Sequence, residues 1–194
     1  MKTKKSLLMI CVMLSLSFAG FSQKIKTVEG DLAPLKNEVI INIEFTYDDM
    51  SVGKYKKEQD YIDVKKEEYN KKEPGRGDRW AKSWVSDRGG RFEPKFAELF
   101  VENSKMVITT RAKYTLIFHT TSTEPGYNIA ISRKNAEIDG EVLIVETANR
   151  NNVIAKLSVN NAPGRTFMGN DYDTGERISE AYAKAGKSLG KYIK

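Results

Sequence analysis

Val39, Ile41, Ile43, Phe45 and Tyr47 fall on one side of an extended chain, and Glu38, Asn42, Glu44 and Thr46 fall on the other, with Ile40 the one exception. A period of two sustained over such a run is that of a strand with one buried face. The same period returns at 113–121, where Tyr114, Leu116 and Phe118 share a side, and at 153–159, where Val153, Ala155, Leu157 and Val159 do. Between them, Tyr127, Ile129 and Ile131 open a further strand and 141–147 forms another. Glu124-Pro125-Gly126 reads as a turn, Asp139-Gly140 as a turn or bulge, and Asn149-Arg150-Asn151-Asn152 as a hairpin loop. Strands with such short connections pair antiparallel.

Helical spacing occupies the remainder. Residues 58–71 are dominated by charge and predict a surface helix, supported by pairs such as Glu67 and Lys71. Pro74-Gly75-Arg76-Gly77 ends it. A second helix carries Trp80, Trp84 and Val85, with the two tryptophans four apart on one face. Gly89-Gly90 is expected to break that helix, and Pro94 to open a third with Phe96, Leu99 and Phe100 as its apolar stripe. Residues 23–36 read as a lead-in and 160–174 as a loop. Asp173 then caps a final helix in which Ile178, Ala181, Tyr182, Ala185, Leu189, Tyr192 and Ile193 recur at helical spacing. Segregated β and α runs predict an α+β fold: one largely antiparallel sheet with helices packed on one face, the C-terminal helix among them.

Lys2, Lys4 and Lys5 precede an apolar stretch from 7 to 18, and Gly20 and Ser22 stand at the −3 and −1 positions of a small-residue cleavage site. This is the build of a secretory signal peptide over 1–22, leaving Gln23 as the new N-terminus. The apolar run is too short for a transmembrane helix, and no second run near that length follows, so an exported, soluble single domain over 23–194 is expected. The destination is the periplasm, the outer membrane or the exterior. Three of the 32 Lys and Arg lie in the leader, which holds none of the 26 acids, so the balance beyond it is only +3. A nucleic-acid partner is not expected from so small and unclustered an excess. The one cysteine, Cys11, also lies in the leader and lacks a lipobox before it. No disulfide can therefore hold the remaining 172 residues, but a chain of that length buries on the order of 70% of its unfolded surface and needs none.

No constellation for chemistry stands out, and no catalytic residue, metal site or cofactor is assigned. His119 is the sole histidine, on the strand face opposite Leu116 and Phe118, and it reads as a partly exposed strand residue. No nucleophile motif surrounds any serine. Asn170-Asp171-Tyr172-Asp173-Thr174-Gly175-Glu176 fails the EF-hand pattern, since Gly175 and Tyr182 fill the fifth and twelfth positions. Arg76-Gly77-Asp78 matches an adhesion tripeptide, but turn chemistry explains it. Trp80, Trp84, Phe92, Phe96 and Phe100 concentrate aromatic area, which serves either as core or as a ligand surface. The candidate binding surface is Arg76, Arg79, Trp80, Trp84, Arg88 and Arg91.

The cadence of the second half, from Tyr114-Thr115-Leu116-Ile117-Phe118 through Glu124-Pro125-Gly126 to Ala181-Tyr182-Ala183-Lys184-Ala185-Gly186-Lys187, resembles uncharacterised secreted Bacteroidetes proteins. More distantly it resembles the αβ domains of curli-channel, TolB N-terminal and related envelope lipoproteins. The resemblance covers 38–48 and 105–194 and leaves 54–105 as a helical insertion. It implies a non-enzymatic envelope protein of a Gram-negative bacterium, whose partner is an envelope protein or cell-surface component. It transfers no catalytic residue. A secreted hydrolase with dispersed residues and a small apolar-ligand or lipid carrier are the alternatives.

Overall fold

The computed structural model describes residues 23–129, 132–164 and 173–194. The leader, Ile131 and the 170–172 part of the calcium-like loop lie outside the described residues. Nine strands are described: β1 (Lys24–Gly30), β2 (Ile40–Thr46), β3 (Ser51–Val52), β4 (Val107–Ile108), β5 (Tyr114–Glu124), β6 (Tyr127–Ile129), β7 (Ser132–Lys134), β8 (Ala136–Glu146) and β9 (Val153–Gly164). Helices α1 (Glu58–Lys72), α2 (Arg76–Asp87) and α3 (Glu93–Ser104) lie between β3 and β4, and α4 (Thr174–Ile193) follows β9.

The main sheet runs β1-β9-β8-β5-β2-β4, with β3 also paired to β5, while β6 and β7 form a separate hairpin. The long pairs β1/β9, β9/β8 and β8/β5 are antiparallel, as the short connections predict. On the other side of β5 the pairing turns parallel, because the chain passes through three helices between β2 and β5. β2 and β3 are one interrupted strand. Thr46 pairs with His119 and Ser51 with Ser122, so residues 47–50 occupy the interval that Thr120 and Thr121 span opposite. This widened step lifts Tyr47 off the sheet and places Asp49 in left-handed backbone at φ 55°.

One sheet face carries Ile41, Leu116, Phe118, Ile138, Val142, Ile144, Leu157 and Val159 into a core shared with α3 and α4. Phe96 sits edge-on to Phe45 at 5.1 Å and against Phe118 at 5.0 Å, and Phe92 stacks on Tyr182 at 5.1 Å. Phe92, Phe96 and Phe100 thus fill the core. Alternate residues turn to the opposite face, where Arg150 of the β8–β9 loop grips Glu44 through two bonds of 2.7 and 2.8 Å. That grip, before burial, sets the Glu44 carboxyl below its usual range. His119 stands half-buried on this face, bonded to Thr46 Oγ1 at 2.9 Å.

Helix α4 buries Ile178, Ala181, Tyr182, Ala185, Leu189 and Ile193, as its spacing predicts, and Asp173 Oδ1 accepts from the Gly175 and Glu176 N–H groups as its cap. Its close approach to α3 depends on two glycines. A β-carbon at Gly186 would run into the Phe96 carbonyl oxygen, and one at Gly190 would lie 2.6 Å from the Phe100 carbonyl oxygen.

Three expectations need correction. Residues 24–30 are not a lead-in but an edge strand, held to β9 and pinned by Tyr192, whose hydroxyl accepts from Thr27 N at 3.0 Å. Gly89-Gly90 does not break the helical run: Arg88–Phe92 forms a π turn that carries α2 directly into α3. Residues 160–164 extend β9 rather than forming loop.

Leu189→Asp is expected to cost on the order of 4–5 kcal/mol, by burying an unpaired charge. Gly186→Ala, despite its better helix propensity, is expected to cost about 1–3 kcal/mol by forcing α3 and α4 apart. Urea titration of both variants checks these values. Unchanged midpoints would mean that α4 does not pack as described.

Candidate functional site

The charged sequence of α1 leaves only a narrow apolar stripe, Tyr61, Ile62 and Tyr69, and α2 answers it with Trp80, Ala81 and Trp84. Together these form a ladder of rings. Tyr55 meets Tyr61 at 5.7 Å, Tyr61 meets Trp84 at 5.0 Å and Trp80 at 5.7 Å, and Trp80 meets Tyr69 at 5.6 Å. The tilted and edge-on geometries are those that aromatic quadrupoles favour. Cations close both ends: Lys54 Nζ lies 5.4 Å from the centre of Tyr55, and Arg76 lies 5.2 Å and Lys72 5.8 Å from that of Tyr69.

The start of α2 explains the adhesion-like tripeptide. Gly77 is buried where a β-carbon would meet the Lys66 carbonyl oxygen, and its N–H donates to Asn70 Oδ1 at 2.7 Å. Asp78 pairs with Lys66 at 2.8 Å and accepts from Asn70 at 3.2 Å. Arg76 lies on Tyr69. The tripeptide is therefore the first turn of a helix clamped to its neighbour, not an extended loop tip.

The six candidate residues separate into three groups. Arg76, Arg79 and Trp80 stand at the outer end of the hairpin; Arg79 is exposed and paired with Glu73, and Trp80 is half-buried. Trp84 and Arg88 turn inward. Trp84 is 7% exposed and donates through Nε1 to Glu58 Oε1 at 2.7 Å. Arg88 donates to both Glu58 oxygens at 2.6 and 2.5 Å and lies 4.2 Å over the Tyr47 ring. Arg91 ties the π turn to the final helix, pairing with Asp87 at 3.1 Å and with Asp173 at 2.8 Å. Burial pushes the Asp173 carboxyl up, but the bond and charge of Arg91 outweigh it and hold it low.

Glu58, Tyr47, Glu93, Thr120 and Tyr182 carry no sequence signal, because each sits in an ordinary local pattern and they meet only through the fold. The Tyr47 hydroxyl donates to Glu93 Oε1 at 3.1 Å, and the Tyr182 hydroxyl bonds Thr120 Oγ1 at 2.6 Å. Burial raises both phenols far above their usual range, and at Tyr182 it outweighs the bonds with Thr120 and Tyr47. Both rings remain neutral at any physiological pH. A cavity of about 10 Å³, room for roughly one water, lies among Tyr47, Met50, Glu58, Trp84, Arg88 and Phe92. Small-molecule pockets are on the order of 300 Å³ or more, so this cavity holds no apolar ligand. Among the described residues, no three His, Cys, Asp or Glu side chains are grouped so as to hold a metal ion.

No family model matches the chain, and no curated protein does. Among solved structures it is similar to the PelC dodecamer of Paraburkholderia phytofirmans, at 8% identity and a TM-score of 0.37, over 84% of this chain and 96% of that one. A variant PelC dodecamer of the same organism matches with the same identity and TM-score over 97% of its length. The likeness is too slight to transfer anything of PelC to this chain.

Two measurements test this division. Acrylamide quenching of Trp80→Phe, which leaves Trp84, is expected to be weak, and that of Trp84→Phe, which leaves Trp80, markedly stronger; equal quenching would contradict the burial described. Arg88→Met, which leaves Glu58 without its cation, is expected to cost about 2–3 kcal/mol. Adding Glu58→Gln is expected to recover part of that loss in a double-mutant cycle.

Proposed function

We propose that this chain is exported, loses residues 1–22, and acts in a Gram-negative envelope as a non-enzymatic protein that binds an envelope protein or cell-surface component. The contact surface in this reading is the outer end of the α1–α2 hairpin, formed by Arg76, Arg79 and Trp80. Trp84, Arg88 and Arg91 support it from within. One observation carries the reading: a half-buried tryptophan packed against Tyr69 at the outer end of the ring ladder, with an arginine laid on that tyrosine's face. Trp and Arg lead the residues that dominate binding energy, and side chains already held in place lose little entropy on contact. Arg76 has no carboxylate within ion-pair reach among the described residues, so its charge is available to an acidic partner. The leader supports export, and no helix among the described residues is long and apolar enough to cross a membrane.

Charge reversal at this surface tests the reading without unfolding the protein. Arg76→Glu with Arg79→Glu is expected to leave the melting temperature within a few degrees of the parent, since surface changes cost little. It is expected to lower binding to an isolated cell-envelope fraction by about tenfold or more, on the scale of one lost hot spot. Undiminished binding would remove this surface from consideration.

A further inference from the structure

Charge is unbalanced along the ring ladder. Tyr61, Lys65, Glu68 and Lys72 recur on α1 at spacings of three and four and so share one face. The 2.8 Å bond from Lys65 holds the Glu68 carboxyl below its usual range against slight desolvation, and the charges of Lys72 and Lys54 add to the effect. Lys54, Lys72 and Arg76 have no carboxylate within ion-pair reach among the described residues, and each lies on a ring of the ladder instead. Away from the rings, Lys66 is met by Asp78 at 2.8 Å and Lys71 by Glu67 at 2.6 Å. An excess of cations therefore follows the ladder. Burial is the first cause that raises the Tyr61 phenol, Tyr69 the second, and Glu124 and Arg177 of the main body also act on it. Glu124 is itself paired with Lys134 at 2.7 Å. The strip thus lies in the angle between the hairpin and the body, not on an open plane.

We propose that this strip docks an extended acidic peptide segment of a partner protein, with carboxylates on Lys54, Lys72 and Arg76 and an apolar side chain between them on Trp80. This rests on the binding reading above and names the partner of that surface. Cations laid on rings are held in place without an ion pair that a partner must first break. Like charges gathered on one face raise the potential that draws an acidic segment in. Tyr61 and Tyr69 stand eight residues apart on α1, about 12 Å along its axis. An extended chain covers that distance in about four residues, so acidic residues to either side of one apolar residue match the strip. Trp80, half-buried between Tyr61 at 5.7 Å and Tyr69 at 5.6 Å, is the apolar contact at the middle. A sugar chain needs several open ring faces in a row, but the rings at both ends are capped by cations. A bilayer needs a plane, and the main body stands beside Tyr61.

The test titrates the purified chain with a labelled peptide in which pairs of glutamates flank a leucine, and reads anisotropy. Its controls are the same peptide with glutamines, polygalacturonate, and vesicles of phosphatidylglycerol and phosphatidylcholine. The acidic peptide is expected to bind best, and more weakly as salt is raised. In Trp84→Phe, where Trp80 is the remaining tryptophan, the peptide is expected to shift the emission. Lys54→Glu with Lys72→Glu and Arg76→Glu is expected to weaken binding about tenfold or more, the sum of three exposed pairs. Lys71→Glu with Lys82→Glu and Lys184→Glu reverses as many charges elsewhere and is expected to change it less than about twofold. Thermal melts confirm that each variant is folded, and the glutamine triple at 54, 72 and 76 replaces the reversal if that one is not. Equal losses in the two triples, or equal binding of the glutamine peptide, overturn the strip as an acidic-segment site. Tighter binding of polygalacturonate or vesicles overturns the peptide as its occupant. If the acidic peptide fails to bind while the envelope fraction is still captured through Arg76 and Arg79, this inference falls and the binding reading stands. If neither binds, both fall.

Discussion

The rest of the structure depends on how closely α3 and α4 approach. Gly186 and Gly190 lie four apart on α4 and face the carbonyl oxygens of Phe96 and Phe100, themselves four apart on α3. Missing β-carbons at both levels let the two backbones touch, so the aromatic side chains of α3 are driven past α4 and down onto the sheet. Phe96 then reaches Phe45 and Phe118 on two parallel strands, and Tyr182 reaches Phe92 and Phe118 from the other helix. The core is a set of interlocked rings at the depth this contact sets. A wider helix spacing would leave voids at each ring, and voids of that kind are costly in close-packed interiors.

The hairpin of α1 and α2 joins this core through the buried Tyr61, Ile62 and Trp84, and polar contacts orient it there. The widened step after β2 presents Tyr47, whose ring carries Arg88 and whose hydroxyl reaches Glu93. Arg88 in turn binds Glu58 at the start of α1. The π turn over Arg88–Phe92 gives the helical run the extra residue that aims Arg88 inward and Arg91 toward Asp173. Directional bonds thus fix the angle of the hairpin, while the ring ladder fixes its internal packing. Charge, geometry and register agree at one junction, beside the buried Tyr61, Ile62 and Trp84 that hold the hairpin to the core.

Much of this was legible in the order of residues, for identifiable reasons. The alternation in β2, β5 and β9 is strong because one face of each strand is buried, and the stripe from Ile178 to Ile193 is strong because α4 is buried along its length. β1 was illegible because it is an edge strand whose one inward apolar side chain is Ile25, and the bulge at Val28 destroys its period. The parallel half of the sheet was illegible because the helical crossover sets strand direction, and no residue in β2 records it. Gly89-Gly90 misled because glycines that break isolated helices are tolerated where flanking helices are fixed by their own packing. At the candidate site, aromatic and arginine richness marked the right segment. It did not distinguish Arg76, which faces outward, from Arg88, whose role depends on Glu58 thirty residues away and on a step in the sheet.

The place of β1 has a consequence for the order in which the chain can fold. This strand comes first in the described sequence, yet its only sheet neighbour among the described residues is β9, and Tyr192 closes over it from the last turn of α4. The fold is closed by contacts of its first described strand with β9 and α4, and contacts of such long sequence separation form slowly because a large loop must close before they contribute. A chain delivered N-terminus first must therefore hold β1 unpaired until nearly all of it has emerged. The lysines at 24 and 26 and the bulge at Val28 suit that interval, since they discourage a waiting edge from pairing with the wrong strand.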